Sequence, residues 1–242
     1  MPTFICPVAD HIYTLDMTAH FYLVTYTPLV ASRAGREACE AHHLQPFIDG
    51  SIRREPDLEH TSPSISCLCR AARFAPRLLP GDLVGYMTVK RRYWGYDHVH
   101  RRFTAVLQVR GVFSSHDDAA SWYRSRNLTL PSNCMVDGNP PKPLSQSHRI
   151  HKDSGRFDDE RLLRRWDNGY RKRSENELGT FLICDHVIHP KLGWDAPVVE
   201  DDNLRSVFGG KIPGTQNPGA RSIDEFLNLM AVLGIRVPPS AP

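Results

Sequence analysis

Ten side chains of this 242-residue chain carry chemistry that suits a polyanion with unstacked bases: Arg91, Arg92, Arg101 and Arg102, the rings Trp94, Tyr96 and Trp122, and the amides Asn133, Gln216 and Asn217. Guanidinium groups attract phosphates and orient a strand without reading its sequence. Flat rings offer a stacking face to a base, worth about 1 to 3 kcal/mol each. An amide carries donor and acceptor together, so one Asn or Gln can pair with a base edge through two bonds.

The charge distribution supports this reading more than the net charge of +3 does. Between Lys90 and Arg110 six basic residues face one acid, Asp97, and between Lys142 and Arg173 ten basic residues face five acids. Both windows contain Trp or Tyr, the interleaving expected of a nucleic-acid contact. The plainer alternative is a solvated charged face beside ordinary core aromatics.

Signals for other chemistry are weaker. Cys6, Cys39, Cys67, Cys69, Cys134 and Cys184 are scattered through a chain large enough to build a core without disulfides, so free thiols are expected. Cys67-x-Cys69 is too tightly spaced for a zinc-binding pair, and none of the twelve histidines forms a His-Glu-x-x-His motif. No metal and no cofactor is therefore expected. His116-Asp117-Asp118, His151-Lys152-Asp153 and Asp185-His186 each place His beside a carboxylate, the raw material of acid–base catalysis. Neighbours in sequence point in different directions, so a nucleic-acid-processing enzyme, a nuclease or base hydrolase, is the second reading. Cys134 would need a base beside it to act as a nucleophile. A scaffold whose basic surface only tunes solubility is the third.

These side chains must be held by a framework. With 40% apolar and 24% charged residues the chain reads as soluble and able to bury one core; no run approaches a membrane span and no secretory leader is evident, which points to the cytoplasm. Phe21 to Tyr26, Asp82 to Val89, Arg102 to Val112 and Thr180 to Cys184 read as strands. Short helices are expected over Gly35 to His43, from a Ser64 cap through Ile65, Leu68 and Cys69, from Ser115 through Trp122 and Tyr123, and around Asp158 to Trp166. Ser222-x-x-Glu225 opens a final helix with a stripe of Ile223, Phe226, Leu227, Met230 and Leu233, stopped at Gly234.

Taken together, the Pro63 to Phe74 segment, the Pro80-Gly81-Asp82 turn and its strand, the basic strand, the Trp122-Tyr123 helix, the Pro131-Ser132-Asn133-Cys134 loop and the Phe208-Gly209 to Asn217-Pro218 loop resemble a PUA-like protein. The resemblance is to the nucleotide-modification-associated group, related to EVE and ASCH domains, and covers roughly Phe21 to Phe226. It implies an α+β fold: a curved, mostly antiparallel β-barrel flanked by helices, with a pocket for a base in DNA or RNA, often a modified one, in bacterial or phage systems.

The expected organisation is an N-terminal extension over 1–20, one domain over 21–234 with charged insertions at 31–60 and 155–176, and a tail over 235–242. A base would enter between the Trp122 helix, the Ser132-Asn133 loop and the Gln216-Asn217 loop. Trp94 or Tyr96 would stack on it, and Arg91, Arg92, Arg101 and Arg102 would hold phosphates. The partner is then nucleic acid, with no membrane; the oligomeric state is open.

Overall fold

The structure, a computed structural model, describes residues 18–68, 70, 73–93, 95–148, 159–175 and 179–238. It is an α+β fold in which five strands make a strongly curled half-barrel flanked by five helices. The strands are β1 (Phe21–Tyr26), β2 (Ser64–Ser66), β3 (Leu83–Thr88), β4 (Arg101–Phe113) and β5 (Phe181–Ile188), in the order β1-β3-β4-β5-β2, with the short β6 (Val198–Val199) added to the start of β4. The sheet is mixed: β1 runs parallel to β3, because a long crossover separates them, and the other pairs are antiparallel.

Curling is written into β4. Its register against β3 shifts between Tyr86 and Met87, so Ala105 faces inward with Tyr86 while Phe103 faces outward with Met87. Two further shifts interrupt its pairing with β5. Each such bulge sharpens local twist and bends the strand. The inner face draws Tyr22, Val24, Val84, Tyr86, Leu107, Leu182 and Ile65 into one cluster, filled by Leu29, Ile48, Leu58 and Phe74. Leu58 and Ile48 come from residues 31–60, so part of that expected insertion is core.

The outer face is covered by α4 (Asp201–Val207) and α5 (Ile223–Val232), with the tilted ring of Phe226 lying 5.3 Å from that of Phe21. Gly85 permits this packing, since a Cβ there would lie 2.9 Å from the Phe21 ring. The α5 capping box forms as its sequence predicts. Its buried stripe is Ile223, Phe226, Leu229 and Met230, whereas Leu227 is 37% exposed: Leu229 takes the place expected for it. Helix α1 (Arg33–His42) starts at a Ser32 cap and α2 (His116–Ser125) at a Ser115 cap. Helix α3 (Asp159–Glu175) runs well past the expected Trp166.

The Ser64-capped helix is corrected. Ser64–Ser66 is a strand, Ile65 pairing with Leu182 of β5, and the alternation of Ser64 and Ser66 with Ile65 and Cys67 is a period of two. Two serines at that spacing look like caps, but the free edge of β5 needed a partner. Among the described residues no helix is long and apolar enough to cross a membrane.

Candidate nucleic-acid interface

The connection from β3 to β4 continues the hairpin beyond the strands. Arg91 and His100 exchange backbone bonds of 3.0 Å in both directions. Within it, Tyr93 is buried against Phe47 and His100 and donates from its hydroxyl to the Val89 carbonyl at 2.6 Å. Gly95 adopts φ +84°, a conformation that side chains resist, and so lets the chain reverse at the tip.

This tip and α1 enclose an open groove of about 810 Å³. Arg36 and Glu40 come from α1, Lys90, Arg91, Arg92 and Tyr96 from the connection, and Val30 and Val99 add apolar surface. Four cations thus face one carboxylate. Arg91 is held by a 2.7 Å bond to the Ala31 carbonyl, and Lys90 by a 2.7 Å pair with Asp201.

The ring of Tyr96 is 38% exposed, and beneath it lies the guanidinium of Arg102, 4.5 Å from its centroid. Arg102 is only 2% exposed. It donates to the Ala196 carbonyl at 2.7 Å and to Nε2 of His100 at 3.2 Å, and its guanidinium also lies 5.5 Å from the centroid of the Phe47 ring. Since Nε2 accepts, the His100 proton sits on Nδ1, facing the His98 carbonyl. Burial, followed by the nearby Arg102 charge, holds the His100 pKa below its ordinary value. The buried Nη2 of Arg102 has no hydrogen-bond partner among the described residues.

The residues expected to bind divide among several places. Arg91, Arg92 and Tyr96 meet in the groove. Arg101 instead pairs with Asp201 at 2.7 Å, and together with Lys90 it keeps that carboxyl below its usual range. Arg102 underpins the groove rather than lining it. Trp94 and the His151–Asp153 stretch lie outside the described residues.

Of the expected three-sided base pocket, the Trp122 helix and the Ser132-Asn133 loop adjoin, since Cys134 shares one cluster with Tyr123 and Trp122. Trp122 packs half-buried beside the cluster of Tyr123 and Phe181, with Arg126 over its ring at 4.1 Å. Ser132 donates from both its backbone and its hydroxyl to Asp57 at 2.8 Å. Asn133 is fully buried, donating to Glu55 at 2.8 Å and accepting from the Ser64 hydroxyl at 2.6 Å, so its amide edge is occupied by the protein. Gln216 and Asn217 are exposed on a loop tied down by Thr215 to Thr25 and by Pro218 to Arg77.

Sequence reasoning missed the polar hub that engages Asn133. The segment Asp49–Asp57 is buried throughout. Arg53 grips Asp167 of α3 with two bonds, 2.6 and 2.8 Å, and reaches the Ser132 and Asn139 carbonyls. Arg54 binds the Asp49, Ser51 and Gln146 carbonyls. Glu55 accepts from Ser66 and Asn133, and its burial pushes its pKa up to about 7. The signal was three consecutive charges, Arg53-Arg54-Glu55, which normally mark a solvated loop.

Among the described residues, His116, Cys134, Asp185 and His186 each have other partners or surroundings. His116 is buried at the start of α2, its Nδ1 accepting from the Met135 backbone at 3.0 Å, and burial lowers its pKa to about 4. Cys134 is buried nearby with its thiol pushed up to about 12, the opposite of an activated nucleophile. Asp185 pairs with Arg110 while His186 turns to the His60 carbonyl. Among the described residues no group of three His, Cys, Asp or Glu side chains is arranged to hold a metal.

Comparison with family models, with curated proteins and with solved structures returned no match to this chain.

Proposed function

We propose that the chain is a nucleic-acid-binding module whose contact surface is the groove between α1 and the β3–β4 connection, and that a base, in the reading drawn from the PUA-like resemblance a modified one, is taken there from a single-stranded or opened segment. The observation that carries the reading is the coincidence of Arg36, Arg91 and Arg92 with a half-exposed ring in one concave place. Phosphates would lie against Arg36, Arg91 and Arg92, and the base would stack on the outer face of Tyr96. That ring is already backed by Arg102, which holds it in place and spares part of the ordering cost of binding.

The test is titration of short single-stranded oligonucleotides by fluorescence anisotropy over a range of salt. Tyr96→Ala is expected to weaken binding by about 1 to 3 kcal/mol, the worth of one stacked base. The pair Arg91→Ala and Arg92→Ala is expected to flatten the dependence on salt by about 0.7 per lost phosphate contact. Wild-type affinity and slope in both variants would sink the proposal. Repeating the titration with methylated and unmethylated bases tests the preference for modification.

A further inference from the structure

We propose that the outward face of α3 is a second contact, which lies against the phosphate backbone of duplex DNA; this rests on the nucleic-acid reading above and adds a surface to it. Arg161, Arg164, Arg165, Asn168, Gly169 and Lys172 line an open concavity of about 730 Å³. Their spacing of three and four residues sets them in one stripe, about 17 Å long at the rise of an α-helix.

Among the described residues no carboxylate lines that concavity. Asp167 is turned the other way, onto the buried Arg53. Leu163, Trp166 and Tyr170 pack against the cluster of Ile52, Leu68 and Leu144, so the helix is fastened by its inner face and its cationic face is the one presented. Arg171 and Arg173 bend back to Asp137 and to the Leu68 carbonyl, leaving the stripe to the cations of the outward face. Gly169 leaves the middle of the stripe bare, with open space where a Cβ would be. A glycine inside a helix costs about 1 kcal/mol relative to alanine, and here it leaves that point of the stripe without a side chain.

The two surfaces differ in a way that assigns their targets. The groove carries Tyr96 for a base, whereas among the described residues no aromatic ring lines the α3 concavity. Contact there is with phosphates. Duplex DNA carries one charge per about 1.7 Å of axis, so a 17 Å stripe spans roughly ten of them, and the DNA major groove is about 12 Å wide, enough for a helix. The deep, narrow major groove of duplex RNA is not.

The experiment uses the full chain and the triple variant Arg161→Gln, Arg164→Gln, Arg165→Gln, all three on the exposed helix face, with circular dichroism to verify folding. Each is titrated with a single strand of about five nucleotides, and with a duplex of about 20 base pairs, from about 50 to 200 mM salt. Duplex affinity is expected to fall at least about tenfold, with the log–log salt slope shallower by about 2 to 3, while single-strand affinity stays within about twofold. Unchanged duplex affinity and slope overturn the inference, as does an equal loss for both ligands, which would be a general charge effect. If the wild type binds the short strand but no duplex, this inference alone falls; if it binds neither, the nucleic-acid reading falls with it.

Discussion

The guanidinium of Arg102 lies 4.5 Å below the ring of Tyr96, so a buried cation supports an exposed aromatic ring at the groove. Cation and ring attract through the ring's negative face. Because Arg102 also binds the Ala196 carbonyl and His100, it links the β3–β4 tip to the segment before β6.

Arg102→Lys keeps the charge but loses the planar stack and the bond to His100 Nε2. It is expected to cost about 1 to 2 kcal/mol in urea unfolding and to loosen the tip, seen as faster amide exchange at Tyr93 and Tyr96. An unchanged midpoint and exchange rate would show that the stack holds nothing.

Glu55 has its folded pKa raised from 4.5 to about 7, so the native state holds a proton that the unfolded chain releases. Its contribution to stability is present in full below about pH 4.5 and is lost as pH rises through about 7, amounting to a few kcal/mol at most. Buried Asp49 is shifted upward too, and adds in the same sense. Subtracting a Glu55→Gln stability profile from that of the wild type isolates the Glu55 share, which should decline across this window and level off above it.

His116 has its pKa lowered from 6.5 to about 4, mainly by burial and then by the Arg53 charge. Its stabilising contribution is complete above about pH 6.5 and is lost as pH falls through about 4. With Nδ1 accepting from Met135, the neutral ring must carry its proton on Nε2. Nitrogen-15 shifts of the imidazole at neutral pH should report that tautomer; the Nδ1–H form would contradict the α2 anchor.

Gly85→Ala places a methyl group 2.9 Å from the Phe21 ring, which is itself fully buried against Phe226. Overpacking of this kind should cost about 1 to 3 kcal/mol, and Phe21→Leu in the same chain should recover part of it by making room. The measurement is the unfolding midpoint of the two single variants and the double.

Much of the framework was legible. The Phe21–Tyr26 run, the Ser115 cap and the Ser222–Glu225 capping box depend on residues close in sequence, and each forms as read. The Ser64 segment was misread because a serine before an apolar residue suits a cap and a strand equally; pairing with Leu182, more than a hundred residues away, decided between them. Of the expected site, Arg91, Arg92 and Tyr96 are near neighbours in the chain, and they do share a groove. Arg36 of α1 was not foreseen, since nothing in its surroundings links it to the tip.

By itself the sequence determined local matters: which segments alternate or cap, and that basic charge and aromatic rings gather between Lys90 and Arg110. Tertiary structure alone decided which of those charges reach solvent. Arg91 and Arg92 face the groove, while the adjacent Arg101 is neutralised by Asp201 and Arg102 is buried under Tyr96. The same holds for Asn133, whose amide is spent on Glu55 and Ser64. A charged or amide side chain has the same composition wherever it lies, but its use depends on whether distant residues have already met its hydrogen-bonding demand, and only folding brings those residues within reach.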